Sequence, residues 1–296
     1  MNKKLQAHLS ILTANLIYGA NFTIAKEVMP LYIKPFGFIL IRVIGASLFY
    51  WLVSSFFAKE KIDRKDIFRL AMLGLFGVAI NQLLFFKGLN LTTPINASIM
   101  MITTPILVLI IANFVSKEKI TSTKLIGIIL GFSGAISLLL LKSDFTIGSG
   151  TMEGDVCILI NAASFSVYLV YAKSLMQKYN TFTIVKWVFL FGLIYVLPFG
   201  YNEAVSVSWA SLPSYIWLCL LFVIIATTCF AYVLNTYALK ELSSSIVSAY
   251  IYLQPLLATL IAIGFGKDKL DGIKILSALL IFFGVYLVSK PMSIKN

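Results

Sequence analysis

The sequence predicts an all-α integral membrane protein of ten transmembrane helices, built as two inverted five-helix repeats. Three observations lead there. Of 296 residues, 59% are hydrophobic and only 12% charged, with a mean hydropathy of +0.93. A soluble domain carries roughly 45–50% apolar and about 25% charged residues, so this chain lacks the polar surface to cover itself in water. Its apolar residues run in stretches of about 20 separated by short polar breaks, the pattern of membrane helices and not of barrel strands, which alternate in segments of about ten. The second half of the chain also repeats the first.

Taken in order, the apolar runs bounded by charges, Gly or Pro cover residues 9–28, 35–57, 67–86, 93–115, 122–141, 154–175, 182–201, 213–236, 243–266 and 272–289. At about 20 residues each they consume roughly 200 positions and leave short loops, too little for a soluble domain. Lys3 and Lys4 precede the first run in the manner of a cleaved signal peptide, but the repeat requires a retained helix there. The formal charge of +12 would point to nucleic acid in a soluble protein; here the basic residues sit mostly in loops and orient the chain, so no nucleic-acid partner is expected. With a cytoplasmic N-terminus, 16 of the 24 Lys and Arg fall inside and 7 outside, with Arg42 left within a span. That asymmetry places both termini in the cytoplasm, as for a protein of a bacterial inner membrane. One loop, holding Lys267, Lys269 and Lys274, runs against the rule. The three cysteines, Cys157, Cys219 and Cys229, lie in apolar stretches with no disulfide or metal spacing, and no cofactor is expected.

A shift of 150 residues superposes the third to fifth spans on the eighth to tenth without a gap. Pro105 falls on Pro255, Ser98 on Ser248, Lys117-Glu118-Lys119 on Lys267-Asp268-Lys269, Lys124 on Lys274 and Gly134 on Gly284. A shift of 147 places Ala25-Lys26 on Ala172-Lys173 and relates the first span to the sixth; the second and seventh match too weakly to fix a register. The chain therefore divides into repeats of residues 1–143 and 144–296. Five helices is an odd number, so the second copy enters the membrane from the opposite side, and the anomalous outer loop becomes the inverted image of a basic inner one. Inverted halves suit alternating access, because two similar units can exchange inward-open and outward-open arrangements at nearly equal energy.

Specific residues carry a family resemblance. Tyr18-Gly19-Ala20-Asn21-Phe22 with Lys26, Arg42, Gln82, Pro105 with its Lys-Glu-Lys turn, and the glycines from Gly131 to Gly134 resemble an EamA repeat. Ala172-Lys173, Pro255, the Lys-Asp-Lys turn and Gly284 resemble its second copy, so the whole chain is similar to the ten-helix carriers of the drug/metabolite transporter superfamily. The resemblance implies a metabolite or amino-acid carrier, commonly an exporter, with a central cavity between helices 1 to 4 and 6 to 9 and helices 5 and 10 at the periphery. Position 18 is Tyr where the family often has Trp.

Polar residues inside the spans nominate a site. On the sixth span Asn161, Ser164, Tyr168 and Tyr171 fall within an 80° stripe, and a polar stripe does not face lipid. Thr228, Tyr232 and Asn235 form a similar stripe on the eighth, and Asn15 and Tyr18 align with Phe22 on the first. Each such residue has two readings, substrate contact or interhelical hydrogen bonding. Arg42 lies about 10 Å into its helix, where it can bind a carboxylate bidentately or snorkel to the headgroups. Gln82 aligns with Tyr232, which favours the cavity for both. Lys26, Lys87 and Lys173, at helix ends, read as interface anchors. Pro105 and Pro255 each remove a backbone donor in mid-span, and their presence in both copies favours hinges lining the cavity over simple packing kinks. Gly127-x-x-x-Gly131 permits close helix contact, within the bundle or in a homodimer. The expected partners are the bilayer and a small-molecule substrate.

The leading function is alternating-access transport of small, amino-acid-like or related amphipathic metabolites. An integral membrane enzyme acting on a lipid is the alternative from another class, but His8 is the only histidine and no acid pair lies within a span, so acid–base or metal catalysis lacks its parts. A channel would need neither inverted halves nor twin prolines. No Walker motif is present, and all twelve acids lie in loops or at helix ends, which points to facilitated diffusion or exchange instead of proton drive.

Overall fold

The computed structural model describes residues 2–57, 60–92, 94–140, 151–264 and 272–290; at positions 22, 57, 94–96, 138–140, 258 and 261–264 only the backbone path is described. The loop at Lys267, expected to be the inverted image of a basic inner one, lies outside the described residues. Among the described residues the regular structure is helical throughout. The helices are α1 (Lys3–Val28), α2 (Pro35–Phe57), α3 (Arg64–Leu91), α4 in two pieces (Pro94–Met101 and Thr104–Ser116), α5 (Ser122–Leu140), α6 (Met152–Lys178), α7 (Thr181–Val205), α8 (Ser214–Glu241), α9 in two α-helical pieces (Ser244–Ala249 and Leu253–Gly264), and α10 (Gly272–Ser289).

Among the described residues seven stretches are long and apolar enough to cross a membrane: α2, α3, the Ala97–Ser116 part of α4, α6, α7, α8 and α10. The ten-span expectation is thus met by composition for those seven. In α5 the apolar helical stretch is the shorter Ser122–Ser137. α1 is long, but Lys3, Lys4, Gln6, His8, Asn15 and Asn21 dilute its hydropathy.

Local chemistry sets several helix ends. The side chains of Asn2, Thr151, Asn180 and Ser243 each accept a backbone N–H in the first turn of α1, α6, α7 and α9, satisfying one orphan donor apiece. Glu203 Oε2 accepts the N–H groups of Phe36 and Gly37 at 2.8 and 2.9 Å, so the end of α7 caps the start of α2. Lys117, at φ 52°, turns the chain left-handed and ends α4.

Helix-to-helix packing runs mostly between the halves: α1 with α8 and α9, α2 with α7, α3 with α6, α4 with α6 and α9, and α5 with α10. Exchanging α1 with α6, α2 with α7, α3 with α8, α4 with α9 and α5 with α10 maps this set of pairs onto itself. The α5–α10 contact obeys the same exchange at atomic scale. A Cβ on Gly127 would lie 2.7 Å from the Gly284 carbonyl oxygen, and one on Gly134 would lie 2.7 Å from that of Ser277. Positions 127 and 277, like 134 and 284, are 150 apart. The glycines thus serve packing inside the bundle.

Candidate functional site

A chamber of about 100 Å³ sits where seven helices meet. α1 contributes Asn15, Tyr18 and Asn21; α2 gives Arg42; α3 gives Asn81, Gln82, Phe85 and Phe86; α4 gives Met101. From the second half come Asn161, Phe165 and Leu169 of α6, Thr227, Tyr232 and Asn235 of α8, and Val247, Ile251 and Gln254 of α9. Among the described residues α5 and α10 contribute no lining, as the resemblance implies.

The helices bordering the chamber are irregular in matching places. α3 widens to a π-helical turn at Leu75–Ile80 and α8 does so at Val223–Phe230, one repeat length apart. Such a turn disturbs the regular backbone ladder, and buried carbonyls left over need other donors. Around α3 these come from across the bundle: Ser164 Oγ donates to the Phe76 carbonyl at 2.6 Å, Asn161 Nδ2 to that of Asn81 at 2.6 Å, and the Tyr232 hydroxyl to that of Gly77 at 3.3 Å. Around α8 the Tyr50 hydroxyl lies 2.7 and 2.8 Å from the carbonyl oxygens of Thr228 and Cys229, and Thr228 Oγ1 donates to Val223 O at 2.7 Å. The chain breaks in the turn before each proline. α4 is interrupted at residues 102–103, and α9 tightens to a 3-10 turn at Tyr250–Tyr252. Met101 and Ile251, four residues before Pro105 and Pro255, both face the chamber.

A polar network spans the lining. Gln82 Nε2 donates to the Tyr232 hydroxyl at 2.9 Å, joining two positions that the repeat superposes. Gln254 Nε2 donates to Asn15 Oδ1 at 2.8 Å, and Tyr18 meets Tyr232 edge-on. Arg42 is 3% exposed; its Nε donates to Thr228 Oγ1 at 3.1 Å and its Cζ lies 4.7 Å from the Phe86 ring centroid. Several buried atoms of the lining have no protein partner among the described residues: Asn21 Oδ1, Arg42 Nη1, Gln82 Oε1, Asn161 Oδ1 and Thr227 Oγ1.

Of the residues nominated from sequence, Asn15, Tyr18, Arg42, Gln82, Asn161, Tyr232 and Asn235 line the chamber. Two do not. Tyr168 is 1% exposed and stacks on Phe165, with its ring against Gly77, where a Cβ would collide with it. Tyr171 is half exposed and belongs to an outer apolar groove with Phe68, Arg69 and Met72. The α6 stripe follows α3 down the bundle, so only its first member reaches the chamber. The snorkelling alternative for Arg42 is corrected by its burial, and two of the lysines read as interface anchors hold helix ends. Lys173 Nζ donates to the carbonyls of Leu239, Lys240 and Leu242 at 2.6, 2.9 and 2.7 Å, capping the end of α8. Lys26 Nζ makes the corresponding contact to the Thr92 carbonyl at 3.4 Å beyond α3. Lys87 pairs with Glu153 at 2.7 Å and is half exposed. The sequence reading passed over Asn81, Thr227 and Gln254; the last stands beside a mid-span proline, which was a usable signal.

A bundle of apolar helices around a chamber edged by buried polar side chains suits a membrane transport protein. The chain belongs to the EamA-like transporter family, whose pattern matches residues 5–140 and again 152–290. It is similar to an uncharacterized transporter of Archaeoglobus fulgidus, 27% identical with 98% of each chain covered, and to the uncharacterized transporter YyaM of Bacillus subtilis, 23% identical over 99% of this chain and 97% of the other. A plant protein, the WAT1-related protein At3g53210 of Arabidopsis thaliana, is 24% identical over 99% of this chain and 88% of its own. A solved crystal structure shares the fold at a TM-score of 0.76, with 18% identity and 95% of each chain covered.

Proposed function

We propose that the protein is a secondary transporter of small amphipathic metabolites, amino-acid-like in having polar ends on an apolar body, working by alternating access across the cytoplasmic membrane. In this reading all ten helices span, both termini are cytoplasmic, the repeats are inverted, and Pro105 and Pro255 are hinges. The observation that carries it is the set of unpartnered polar atoms on Asn21, Arg42, Gln82, Asn161 and Thr227, buried at a depth where lipid offers no hydrogen bond. Other unpartnered hydroxyls lie elsewhere in the bundle, but these five atoms are gathered on one chamber, where a solute can take their hydrogen bonds. Phe85, Phe86 and Phe165 supply the apolar wall. The chamber, about 100 Å³ and not fully enclosed, has room for a few waters, so a metabolite fits only after the helices part further.

The test is a thermal-shift screen of the purified protein against amino acids, purines and other small metabolites. A true ligand at about 100 times its Kd stabilises the fold by about 2.7 kcal/mol, and the compound found should then exchange in proteoliposomes. Stabilisation abolished by Asn161→Ala and Gln82→Ala supports the chamber as the site. Stabilisation untouched by both changes refutes it.

A further inference from the structure

Three charged side chains are buried among the described residues: Arg42, Asp66 and Lys124. Lys124 pairs with Glu118 at 2.7 Å, and Asp66 is held by Lys178, Arg69 and the Tyr179 hydroxyl. Arg42 takes part in none of the described ion pairs. The titratable groups beside it are Tyr18, Tyr232 and Cys229, none of which supplies a carboxylate. Its Nε is engaged by Thr228, Phe38 and Phe86 offer ring faces at 5.8 and 4.7 Å, and Nη1 is unpartnered toward the chamber. A guanidinium does not shed its proton to escape this position.

We infer that the protein is an exchanger of carboxylate-bearing solutes, in which the uncompensated charge of Arg42 keeps the empty chamber from changing sides. The inference rests on the alternating-access reading above. When the chamber is open, water hydrates the guanidinium. Switching requires an occluded intermediate, and sealing a lone cation into a dry interior is far costlier than sealing a hydrogen-bonded pair. A substrate carboxylate reaching both Nη atoms turns the cation into a charge-assisted fork. The loaded chamber then crosses and the empty one stays where it released its cargo. Only another carboxylate returns it, so one solute is swapped for another with no ion gradient involved.

The experiment needs no knowledge of the natural substrate. The three native cysteines are replaced by serine or alanine, and Ile251→Cys places one thiol on the chamber wall. Sealed vesicles of both orientations are treated with a membrane-impermeant thiol reagent. In chloride buffer modification of the Arg42 protein from one side should stop at a plateau, the fraction whose empty chamber faces that side, and the remainder should react about tenfold or more slowly. Arg42→Gln should carry modification from one side to completion. Arg42→Lys, which keeps the charge, should keep the plateau. Acetate as a carboxylate probe should carry modification to completion in the unmodified Arg42 protein, an arm that does not depend on any Arg42 variant folding. Complete modification of the Arg42 protein from one side in chloride overturns the exchange inference and leaves alternating access standing. A plateau that persists in both acetate and Arg42→Gln overturns both.

Discussion

Tyr168 and Tyr232 are both buried in the second half of the chain, yet their neighbours give them different duties. Tyr168 fills the space left by Gly77 and lies flat on Phe165, away from the lining. Tyr232 presents its hydroxyl to Gln82 and its ring to Phe189 and Tyr18 on the chamber wall. Tyr168→Ala should therefore destabilise the fold by about 3–5 kcal/mol, the range for emptying an aromatic core site, while the folded remainder binds its ligand as before. Tyr232→Ala should weaken binding by about 1–3 kcal/mol through the loss of apolar contact and a hydroxyl partner. Melting curves and ligand titrations on the same preparations separate the two, and a shared loss of affinity would erase the distinction. The sequence showed that both tyrosines avoid lipid, because helical spacing reveals a face. It did not show which neighbour the face meets. That depends on α6 lying along α3, a fact of packing with no trace in the periodicity of either helix.

At the scale of the element, the π-helical turns of α3 and α8 were invisible in sequence, since Leu75–Ile80 and Val223–Phe230 are ordinary apolar residues. What could be read were the donors that answer them, Asn161, Ser164 and Tyr232, whose partners became clear only with the turns in place. The prolines were legible because a ring without an N–H must interrupt a helix, and the breaks fall one turn ahead of each. If those breaks are hinges, Pro105→Ala and Pro255→Ala restore the backbone bond and should slow exchange several-fold while ligand affinity stays within about twofold; an affinity loss with unchanged turnover would contradict this. The helix ends offer a sharper comparison. Lys173 closes α8 through three carbonyls, whereas Lys26 closes α3 through one longer contact. Charge-assisted bonds contribute about 1.5–3 kcal/mol each before the remaining carbonyls rehydrate. Lys173→Met should therefore cost about 2 kcal/mol of stability and Lys26→Met clearly less, a ranking that thermal unfolding can reverse or sustain.

For the whole molecule, the duplication visible in the sequence has physical counterparts well beyond residue matching. Gln82 bonds Tyr232, its counterpart 150 positions on, as happens when two related residues meet near a two-fold axis. The Gly127–Gly284 and Gly134–Ser277 contacts are images of each other under the same shift. The direction of that axis decides the mechanism. On the proposed topology of five spanning helices per copy with short connections, the chain starts its second copy from the far side of the membrane, and the axis lies in the membrane plane. An axis along the membrane normal would instead put equivalent loops on one side and require a further crossing. The loops that tell these apart are the Lys-acid-Lys turns: Lys119, after α4, and Lys269, beyond the described end of α9. In a protein stripped of its native cysteines, Lys119→Cys and Lys269→Cys should be labelled by an impermeant thiol reagent from opposite faces, Lys119→Cys from the cytoplasmic one. Labelling both from one face would mean parallel copies, and the near-equal energies of inward-open and outward-open states would then have no symmetry behind them. Opposite labelling means each open state is built from the same contacts with the halves exchanged. The energy difference between the states then falls to the places where the halves differ, chief among them Arg42.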